Sequence, residues 1–537
     1  MKVVIKKTGI NGEGIGYIDR LPVFVAGALV DEEVDIRVVE RKKRYAIGEV
    51  NRIIKKSKDR IQPKCRMQHI CGGCPLMIAR YPRQLEYKKD VLKQSLIKYA
   101  QVNPRKIQNV LPSADIFGYR NQFKMPCAME ENRLGSGLFM PNSNYFIDIR
   151  RCFVHEDELE KMRARIMDIL NADGYLGYDH HQKSGIRNLV VRGFDNRYQC
   201  TIITGEDELL PQTIDKLMRL PGMYSLWQSI HTIKKTPEIF GPKMIFLAGE
   251  KLLPLHLDGL DLEISPRSFF QLNTKQAIQL YRTIASMISG NHEFIVEAYS
   301  GIGAISLYLK DKAKEIIGIE SIKDAVVNAN RNAKKNGCAH VSFVCDDAAN
   351  KLVYLSKKRT IDVLVVDPPR SGLDDAMLEC ILRSKIKEIV YVSCNAATLG
   401  KNLAVLQSCY HVEKVVPIDM FPHTPHVETV CLLTRKNVKS YAYVDVNTDE
   451  LDIGRSKNKA TYKEIMSFVE EKYGFKVSAL YIAGVKDELG LEKQFSYEDN
   501  GMAAKKRPNC PKEKHDAIVD ALVHFGIISA EKSSTQK

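Results

Sequence analysis

The stretch Phe294-Ile295-Val296-Glu297-Ala298-Tyr299-Ser300-Gly301-Ile302-Gly303 joins an apolar strand to a glycine-rich turn. A second apolar run follows and ends at the acidic residue Glu320. Glycines in such a turn let the backbone approach a nucleoside, and an acid that ends the next strand can accept hydrogen bonds from ribose hydroxyls. The same pattern occurs in ordinary strand-to-helix turns, and it fits nicotinamide cofactors as well as S-adenosylmethionine.

Helices and apolar strands alternate on both sides of this turn. A helical pattern over residues 274–289 ends at Gly290, which is suited to a helix C-cap. This alternation predicts a Rossmann-like α/β domain over residues 261–436, in which a doubly wound parallel sheet binds ligands at the carboxyl ends of its strands. We place its strands at residues 294–296, 315–319, 341–345, 361–366, 388–392 and 429–433.

Three motifs place a thiol and two carboxylates beside these strands. They are Asp367-Pro368-Pro369-Arg370, Val392-Ser393-Cys394-Asn395 and His426-Val427-Glu428-Thr429-Val430. In the first motif the two prolines make a rigid loop, of the kind with which many methyltransferases hold a planar target. The alternative is a loop that only ends the strand.

Cys394 and Glu428 are the candidate nucleophile and general base. A free cysteine is most often a buried structural thiol. Cys394, however, precedes a predicted helix over residues 396–406, and a helix N-terminus should lower the pKa of its thiol toward the reactive range. Glu428 alone would be a surface residue on an edge strand, whereas beside a nucleophile it can accept a proton.

Cys65, Cys71 and Cys74 form a C-x5-C-x2-C motif that contains Gly72-Gly73. The chain has 13 scattered cysteines and no sign of secretion, which argues against a disulfide scaffold. The tight spacing lets several thiolates converge on one metal site, and the glycines permit a sharp turn. Four thiolates hold either structural zinc or an iron–sulfur cluster, and spacing alone identifies neither the metal nor the fourth ligand.

The remaining chain divides into three segments. Residues 1–60 alternate apolar and polar side chains around several glycines, which predicts a small β-barrel of a kind that commonly binds nucleic acid. Residues 61–260 contain the cysteine motif, a helix near residues 84–100 and a strand-rich stretch, and we expect an α+β domain. Residues 440–537 predict a small α/β appendage with a helix from Thr461 to about Gly474, a strand over residues 478–483 and a helix over residues 515–525.

The composition is that of a soluble protein with a polyanionic partner. Hydrophobic residues make up 44% and charged residues 27% of the chain. No run of about 20 apolar residues could cross a bilayer, and no signal peptide is evident, so we expect a cytoplasmic protein. The net charge of +15 is densest at Arg41-Lys42-Lys43-Arg44 and favours an RNA partner, although a charge run is more often a solvated face.

Together with Ser265-Pro266-Arg267-Ser268-Phe269-Phe270-Gln271-Leu272-Asn273, these motifs occur in the order seen in the RNA 5-methyluridine methyltransferases. The sequence resembles that family over about residues 1–436. Its N-terminal barrel is similar to a TRAM domain. Its cysteine motif, with a distant fourth cysteine, resembles the [4Fe-4S] motif of the branch that modifies 23S ribosomal RNA.

The resemblance implies a reaction and a set of roles. The protein would act as a monomer and methylate carbon 5 of a uridine in 23S ribosomal RNA, through a covalent bond between the cysteine sulfur and carbon 6 of uracil. Family members also include the helical region near residues 87–100 in their catalytic domain. The implied residues are Cys394 as nucleophile, Glu428 as base, Gln271, Tyr299, Glu320 and Asp367 as S-adenosylmethionine contacts, and Cys65, Cys71, Cys74 and Cys152 as cluster ligands.

Three alternatives remain open on the sequence. The substrate could be a transfer RNA uridine. A nucleobase amino-methyltransferase could use Asp367-Pro368-Pro369-Arg370 to hold an exocyclic amine and would need no nucleophilic Cys394. A non-catalytic RNA-binding iron–sulfur protein would need neither Cys394 nor Glu428.

Overall fold

A computed structural model describes residues 1–436 apart from residues 142 and 235, and residues 462–475, 477, 479–489, 510–525 and 527–528. The chain divides into two compact units, Met1–Asn437 and Val438–Lys537. No helix in these described ranges is long and apolar enough to span a membrane.

The N-terminal segment forms a six-stranded sheet that closes on itself. The strands are β1 Lys2–Val4, β2 Lys7–Thr8, β3 Gly14–Ile18, β4 Leu21–Val25, β5 Glu33–Arg41 and β6 Ala46–Lys55, in the order β1-β5-β6-β4-β3-β2. Since β1 and β2 are consecutive pieces of one segment and pair at opposite ends of the sheet, they bring its two edges together. Alternate residues such as Val23, Val25 and Val34 fill the interior, and the basic run 41–44 is exposed between β5 and β6.

The cysteine motif surrounds the short helix α1, Gln68–Cys71, and a 3₁₀ turn at Pro75–Ile78. The long helix α2, Tyr81–Ala100, follows. Its apolar side chains Leu92 and Leu96 are fully buried in the core of the α/β domain over residues 253–435. Helix α2 therefore structurally supports the sheet of that domain.

The next domain is a seven-stranded sheet with helices on one face. Only its strands at Arg197–Thr204 and Met223–Ile230 pair in parallel, and the helix Pro211–Met218 lies in the crossover between them. This helix and the helix Asp157–Ala172 cover a core that includes Leu159, Ile166 and Leu217. The elements are β7 Gln122–Glu130, β8 Arg133–Phe139, β9 Phe146–Asp148, α3 Asp157–Ala172, β10 Ile186–Phe194, β11 Arg197–Thr204, α4 Pro211–Met218, β12 Met223–Ile230 and β13 Lys243–Gly249, in the order β13-β12-β11-β10-β7-β8-β9.

Residues 253–435 form an α/β domain whose sheet is preceded by a hairpin. Its apolar strands are buried between helices on both faces, as their near-continuous hydrophobic sequences require. The elements are β14 Leu253–Leu257, β15 Leu260–Ile264, α5 Thr274–Met287, β16 His292–Ala298, α6 Ala304–Tyr308, β17 Ala313–Glu320, α7 Lys323–Lys335, β18 Val341–Cys345, α8 Ala348–Lys358, β19 Val363–Val366, α9 Asp375–Arg383, β20 Glu388–Ser393, α10 Ala396–Leu406, β21 Tyr410–Ile418 and β22 Glu428–Arg435.

The prediction of a wholly parallel sheet is wrong at one side. In the order β18-β17-β16-β19-β20-β22-β21, strands β16 to β20 are parallel, but β22 is antiparallel to both β20 and β21. Strand β21 was not predicted. Because β22 is antiparallel to β20, its first residue, Glu428, lies at the edge of the sheet where β20 ends. Helix α5 ends at Met287, and Gly290 follows in the turn with a φ of +80°.

The described part of the second unit is helical. Helices α11 Tyr462–Tyr473, α12 Ala479–Glu488 and α13 Lys512–His524 surround an apolar core. The strand predicted over residues 478–483 is wrong, because Ile482 and Val485 have helical spacing and are fully buried in that core. The appendage is therefore all-α, not α/β, in its described ranges, and Thr461, where its first helix was predicted to begin, lies outside them.

Candidate active site

The predicted nucleophile and base lie side by side at one edge of the sheet. Cys394 directly follows β20, and Glu428 is the first residue of β22. Ser393 pairs with Thr429 across these antiparallel strands, so Cys394 and Glu428 occupy the next positions on the two chains. Asp367 directly follows β19, the other neighbour of β20, and lies at the same edge.

Burial perturbs all three acidic groups. It raises the pKa of Asp367 to about 7. Burial, with the charge of Asp367, raises the pKa of Glu428 to about 8. Burial and the carboxylates of Glu428 and Asp367 raise the pKa of Cys394 to about 11. The expectation of a lowered thiol pKa is therefore wrong, because desolvation and two neighbouring acids outweigh the helix N-terminus.

Arg370 is the positive charge of the site. It counteracts the raised pKa values of both Glu428 and Cys394. Its Nη2 lies 3.0 Å from His426 Nδ1. Burial and Arg370 lower the pKa of His426 to about 4, so the imidazole is neutral at pH 7. Arginine can only donate, and His426 Nδ1 is therefore the acceptor. The sequence motif contained both residues, but nothing in it indicated their contact.

The Asp367-Pro368-Pro369-Arg370 loop is tied to helix α10. The Asn395 side chain accepts from Ala397 N at 3.0 Å and so caps this helix. Its Nδ2 also donates to the Arg370 carbonyl at 3.2 Å, and the Thr398 hydroxyl contacts the same oxygen at 3.4 Å. The residue after Cys394 thus fixes both the helix and the loop that carries Asp367.

The glycine-rich turn has the geometry of a nucleoside site. Tyr299 has a φ of 65°, a value uncommon outside glycine, as the chain leaves β16. Glu320 accepts from Gly301 N at 3.0 Å and from Ile322 N at 2.9 Å, so one carboxylate holds both the turn and the start of α7. Its Oε1 also accepts from the Ser321 hydroxyl at 3.3 Å, so three of about four lone-pair positions of the carboxylate are used within the chain.

The glycine-rich turn has open space beside Gly301 and close packing beside Gly303. A Cβ at Gly301 would have no atom within 4 Å, whereas one at Gly303 would lie 2.4 Å from the Phe343 ring. Ser300 Oγ is buried and has no hydrogen-bond partner among the described residues. An open backbone surface, a free hydroxyl and a half-exposed carboxylate suit the ribose and amino-acid groups of S-adenosylmethionine.

Gln271 lies in the segment between β15 and α5 and is 7% exposed. Its carbonyl accepts from Asn121 Nδ2 at 3.0 Å, and Asn273 caps α5 through Gln276 N at 3.2 Å. The neighbouring Phe269 is 69% exposed. Hydrogen bonds therefore hold the backbone of the segment at Gln271, and Phe269 presents an aromatic ring to solvent.

The four cysteines of the predicted cluster converge. Each is half-buried, and Cys152 interacts electrostatically with Cys65, Cys71 and Cys74. Gly72, with a φ of +67°, makes the turn between the last two cysteines of the motif. Within the described ranges, no group of three or more His, Cys, Asp or Glu side chains has the arrangement of a metal-ion site.

Arg120 lies against these thiols. Burial raises the pKa of Cys71, and that of Cys74 to about 12, against the opposing charge of Arg120. The pKa of Cys152 is lowered, because a hydrogen bond to His155, with a smaller contribution from Arg120, outweighs its burial. Arg120 Nε is buried without a hydrogen-bond partner, and no carboxylate of the described chain lies within ion-pairing distance of it. A buried cation needs a counter-charge, and thiolates are the groups positioned to provide it. Four thiols beside a buried cation have the donor chemistry for thiolate ligation, whereas their arrangement among the described residues is not that of a metal-ion site. Nothing in the sequence alone indicated Arg120.

Comparisons with known proteins identify the family of the chain. The family model described as tRNA (Uracil-5-)-methyltransferase matches residues 253–436, and that of the TRAM domain matches residues 1–50. A protein of Bacillus cereus named uncharacterized RNA methyltransferase is 37% identical over 446 residues, covering 81% of this chain and 96% of that protein. One of the same name from Listeria innocua is 35% identical, covering 81% and 97%.

A solved structure shares the fold. It is the tRNA (uracil-54, C5)-methyltransferase of Pyrococcus abyssi in complex with S-adenosyl-L-homocysteine, with a TM-score of 0.65 and 26% identity. The match covers 81% of this chain and all of the archaeal chain. The protein described here therefore belongs to the RNA (uracil-5-)-methyltransferase family, as an S-adenosylmethionine-dependent RNA methyltransferase with an N-terminal TRAM domain.

Proposed function

We propose that this protein methylates carbon 5 of a uridine in 23S ribosomal RNA, and that it does so in the cytoplasm as a monomer. The observation that carries the chemistry is the adjacency of Cys394 and Glu428 at the end of β20, next to Asp367. Carbon 5 of uracil is too weak a nucleophile to take a methyl group unaided, and a thiol beside a base provides a way to activate it.

In the proposed reaction the Cys394 sulfur bonds to carbon 6, and electron density moves to carbon 5 and the carbonyl oxygen. Carbon 5 then attacks the methyl group of S-adenosylmethionine, and the bond between that methyl group and the sulfonium sulfur breaks to release S-adenosylhomocysteine. Glu428 then takes the carbon 5 proton, and the bond between sulfur and carbon 6 breaks to restore the ring and free the cysteine. Arg370 supplies positive charge while the ring is an enolate.

Two protons must be accepted during this cycle. The thiol has a pKa of about 11, so its proton must leave as the sulfur attacks. Glu428 has to be ionised for the later step at carbon 5. Asp367 is the other carboxylate whose charge acts on Cys394, and it is therefore the acceptor for the thiol proton. This role is additional to its proposed contact with S-adenosylmethionine.

The RNA must present the uridine outside its base stack, since the reacting atoms lie at a buried sheet edge. The TRAM barrel, with its exposed basic run 41–44, would bind the phosphate backbone around the target. The overall charge of +15 favours the same partner.

Transfer RNA is the second candidate substrate. It is favoured by two observations, the match to the family model described as tRNA (Uracil-5-)-methyltransferase and the likeness to the tRNA (uracil-54, C5)-methyltransferase of Pyrococcus abyssi. To separate the two, unmodified 23S ribosomal RNA and unmodified transfer RNA are incubated with the protein and radiolabelled S-adenosylmethionine, and the nucleosides are analysed by mass spectrometry. We expect 5-methyluridine in the ribosomal RNA. Label only in transfer RNA would reassign the substrate, and a methyl group on an exocyclic amine would reject the chemistry.

We also propose that Cys65, Cys71, Cys74 and Cys152 hold a [4Fe-4S] cluster. The convergence of four half-buried thiols beside the uncompensated Arg120 supports thiolate ligation. Protein purified without oxygen should be brown and contain about four irons per chain. The Cys74→Ser variant should lose iron, whereas Cys345→Ser, at an exposed cysteine elsewhere, should retain it. Zinc without iron would overturn this assignment.

A further inference from the structure

The chain between β21 and β22 runs through residues 419–424, a segment we call the strap, and then reaches Glu428 four residues later. The strap has no regular secondary structure, and Asp419, Met420, His423 and Thr424 within it are each at most 2% exposed. Buried irregular backbone needs side-chain partners for its polar groups. In the strap, helices α2 and α5 and the chain around the cysteines provide them.

Helix α2 is bonded to the strap through a buried ion pair. The side chains of Lys88 and Asp419 are both fully buried and bonded to each other. Lys88 Nζ also donates to the Phe421 carbonyl at 2.9 Å, and the Tyr81 hydroxyl donates to Asp419 at 2.8 Å. A buried ion pair contributes little net stability compared with apolar residues of similar size, but it fixes one geometry.

A second contact from α2 fixes the middle of the strap. Gln84 accepts from His423 N at 2.9 Å, and its amide nitrogen lies 3.2 Å from His423 Nδ1. His423 has a φ of +68°, a conformation that persists in a residue other than glycine when its surroundings determine it.

The other side of the strap is held by the chain around the cysteines. Leu76, two residues after Cys74, donates its N–H to the His423 carbonyl at 2.9 Å. The Tyr119 hydroxyl donates to the Pro422 carbonyl at 3.0 Å. Helix α5 also contacts the strap, because the Gln276 side chain donates to the Asp419 carbonyl at 3.0 Å.

The strap leads directly to the proposed base. The Thr424 hydroxyl accepts from His426 N at 3.3 Å, and His426 bonds to Arg370 in the active site. Glu428 then begins β22. By contrast, Cys394 follows β20 and is positioned by that strand and by α10, neither of which is part of the strap.

We infer that Lys88, Asp419 and Tyr119 are positioning residues that aim Glu428 at the carbon 5 proton through the strap. This inference rests on the proposed function. It predicts that loosening the strap slows proton removal while the addition of Cys394 and the transfer of the methyl group continue. The methylated uracil would then remain bonded to Cys394, because the sulfur cannot leave until that proton is removed.

The test compares Tyr119→Phe and the charge-free pair Lys88→Met/Asp419→Asn with wild type, in ordinary uridine-containing 23S ribosomal RNA with S-adenosylmethionine. Denaturing gels measure the protein–RNA adduct, and steady-state assays give kcat and KM. We expect kcat to fall about tenfold, KM for RNA to stay within about twofold, and the adduct to accumulate at least about fivefold. Glu428→Gln is the reference for adduct accumulation.

The matched control is Tyr175→Phe, which removes a hydroxyl that accepts from Leu210 N at 2.9 Å in the central domain. It should leave kcat and the adduct unchanged. Wild-type rates in both strap variants, or slower turnover without adduct, would overturn the inference. If the Lys88→Met/Asp419→Asn variant does not fold, the Tyr119→Phe variant alone tests the inference by the same criteria. Absence of methylation by wild type would instead contradict the proposed function.

Discussion

At the residue scale, the site combines three buried or half-buried acids with one arginine. Asp367, Glu428 and Cys394 all have raised pKa values, so each is easier to protonate than in water. This arrangement costs stability when the acids ionise, but it makes the carboxylates stronger bases. Arg370 provides the positive charge that keeps ionised forms accessible.

This electrostatic arrangement predicts the pH dependence of turnover. Glu428 can accept the carbon 5 proton only when ionised, and its pKa is raised to about 8. The limiting rate of proton removal should therefore rise by about tenfold per pH unit below that value and level off above it. His426, with a pKa of about 4, does not titrate in this range. Single-turnover kinetics between pH 6 and 9 at constant ionic strength provide the measurement, and a rate that falls from pH 7 to 8 would contradict it.

At the element scale, strand direction and the glycine-rich turn determine where chemistry can occur. The switch from parallel to antiparallel after β20 places Glu428 beside Cys394. The turn after β16 provides open backbone next to the same edge.

The turn can be tested with Gly301→Ala. Gly301 has a φ of +54° and open space around it, so a methyl group there would strain the backbone and enter the space assigned to the methyl donor. We expect the Kd for S-adenosylhomocysteine, measured by calorimetry, to rise at least about tenfold, with about 1 kcal/mol lost in stability. Gly290→Ala, with a φ of +80° and equally open space, is the control and should affect stability alone. Equal Kd values in the two variants would reject the assignment.

Much of the catalytic domain could be predicted because its strands are short, continuous apolar runs. Strand β18 and helix α10 have the predicted bounds. Strand β21 was missed because charged residues such as Glu413 and Lys414 interrupt its apolar pattern and it ends at Pro417-Ile418.

Features that depend on tertiary burial could not be predicted. Lys88 is an ordinary charged residue in the sequence of α2, and only the folded chain shows that it is buried against Asp419. The direction of the Cys394 pKa depends likewise on neighbours brought together by folding. The residues proposed for catalysis could be named from their motifs, whereas their electrostatics and supports could not.

At the scale of the whole molecule, the positive charge is unevenly distributed. Residues 438–537 contain 16 Lys and Arg and 16 Asp and Glu, so the excess of 80 basic over 65 acidic residues lies entirely in residues 1–437. The unit that carries the TRAM barrel and the active site is therefore also the one with the electrostatic attraction for RNA.

Removal of residues 438–537 should leave the reaction largely intact. The first unit is compact by itself, and both matched family models end within it. We expect kcat on a minimal RNA to stay within about twofold, and the salt dependence of RNA binding to be unchanged because no net charge is lost. Filter binding at several salt concentrations and a methylation assay measure both. Complete loss of activity in a folded truncated protein would show that the appendage belongs to the catalytic unit.

The central claim is that Cys394 forms a covalent bond to the uracil ring. In 23S ribosomal RNA containing 5-fluorouridine, fluorine replaces the proton that Glu428 would remove, so the adduct cannot be resolved. With S-adenosylmethionine, the wild-type protein and Cys409→Ala, at a half-buried cysteine elsewhere in the same domain, should both form an adduct that survives denaturing electrophoresis, and Cys394→Ala should form none. An adduct with Cys394→Ala, or none with a wild-type protein that methylates ordinary RNA, would contradict the account.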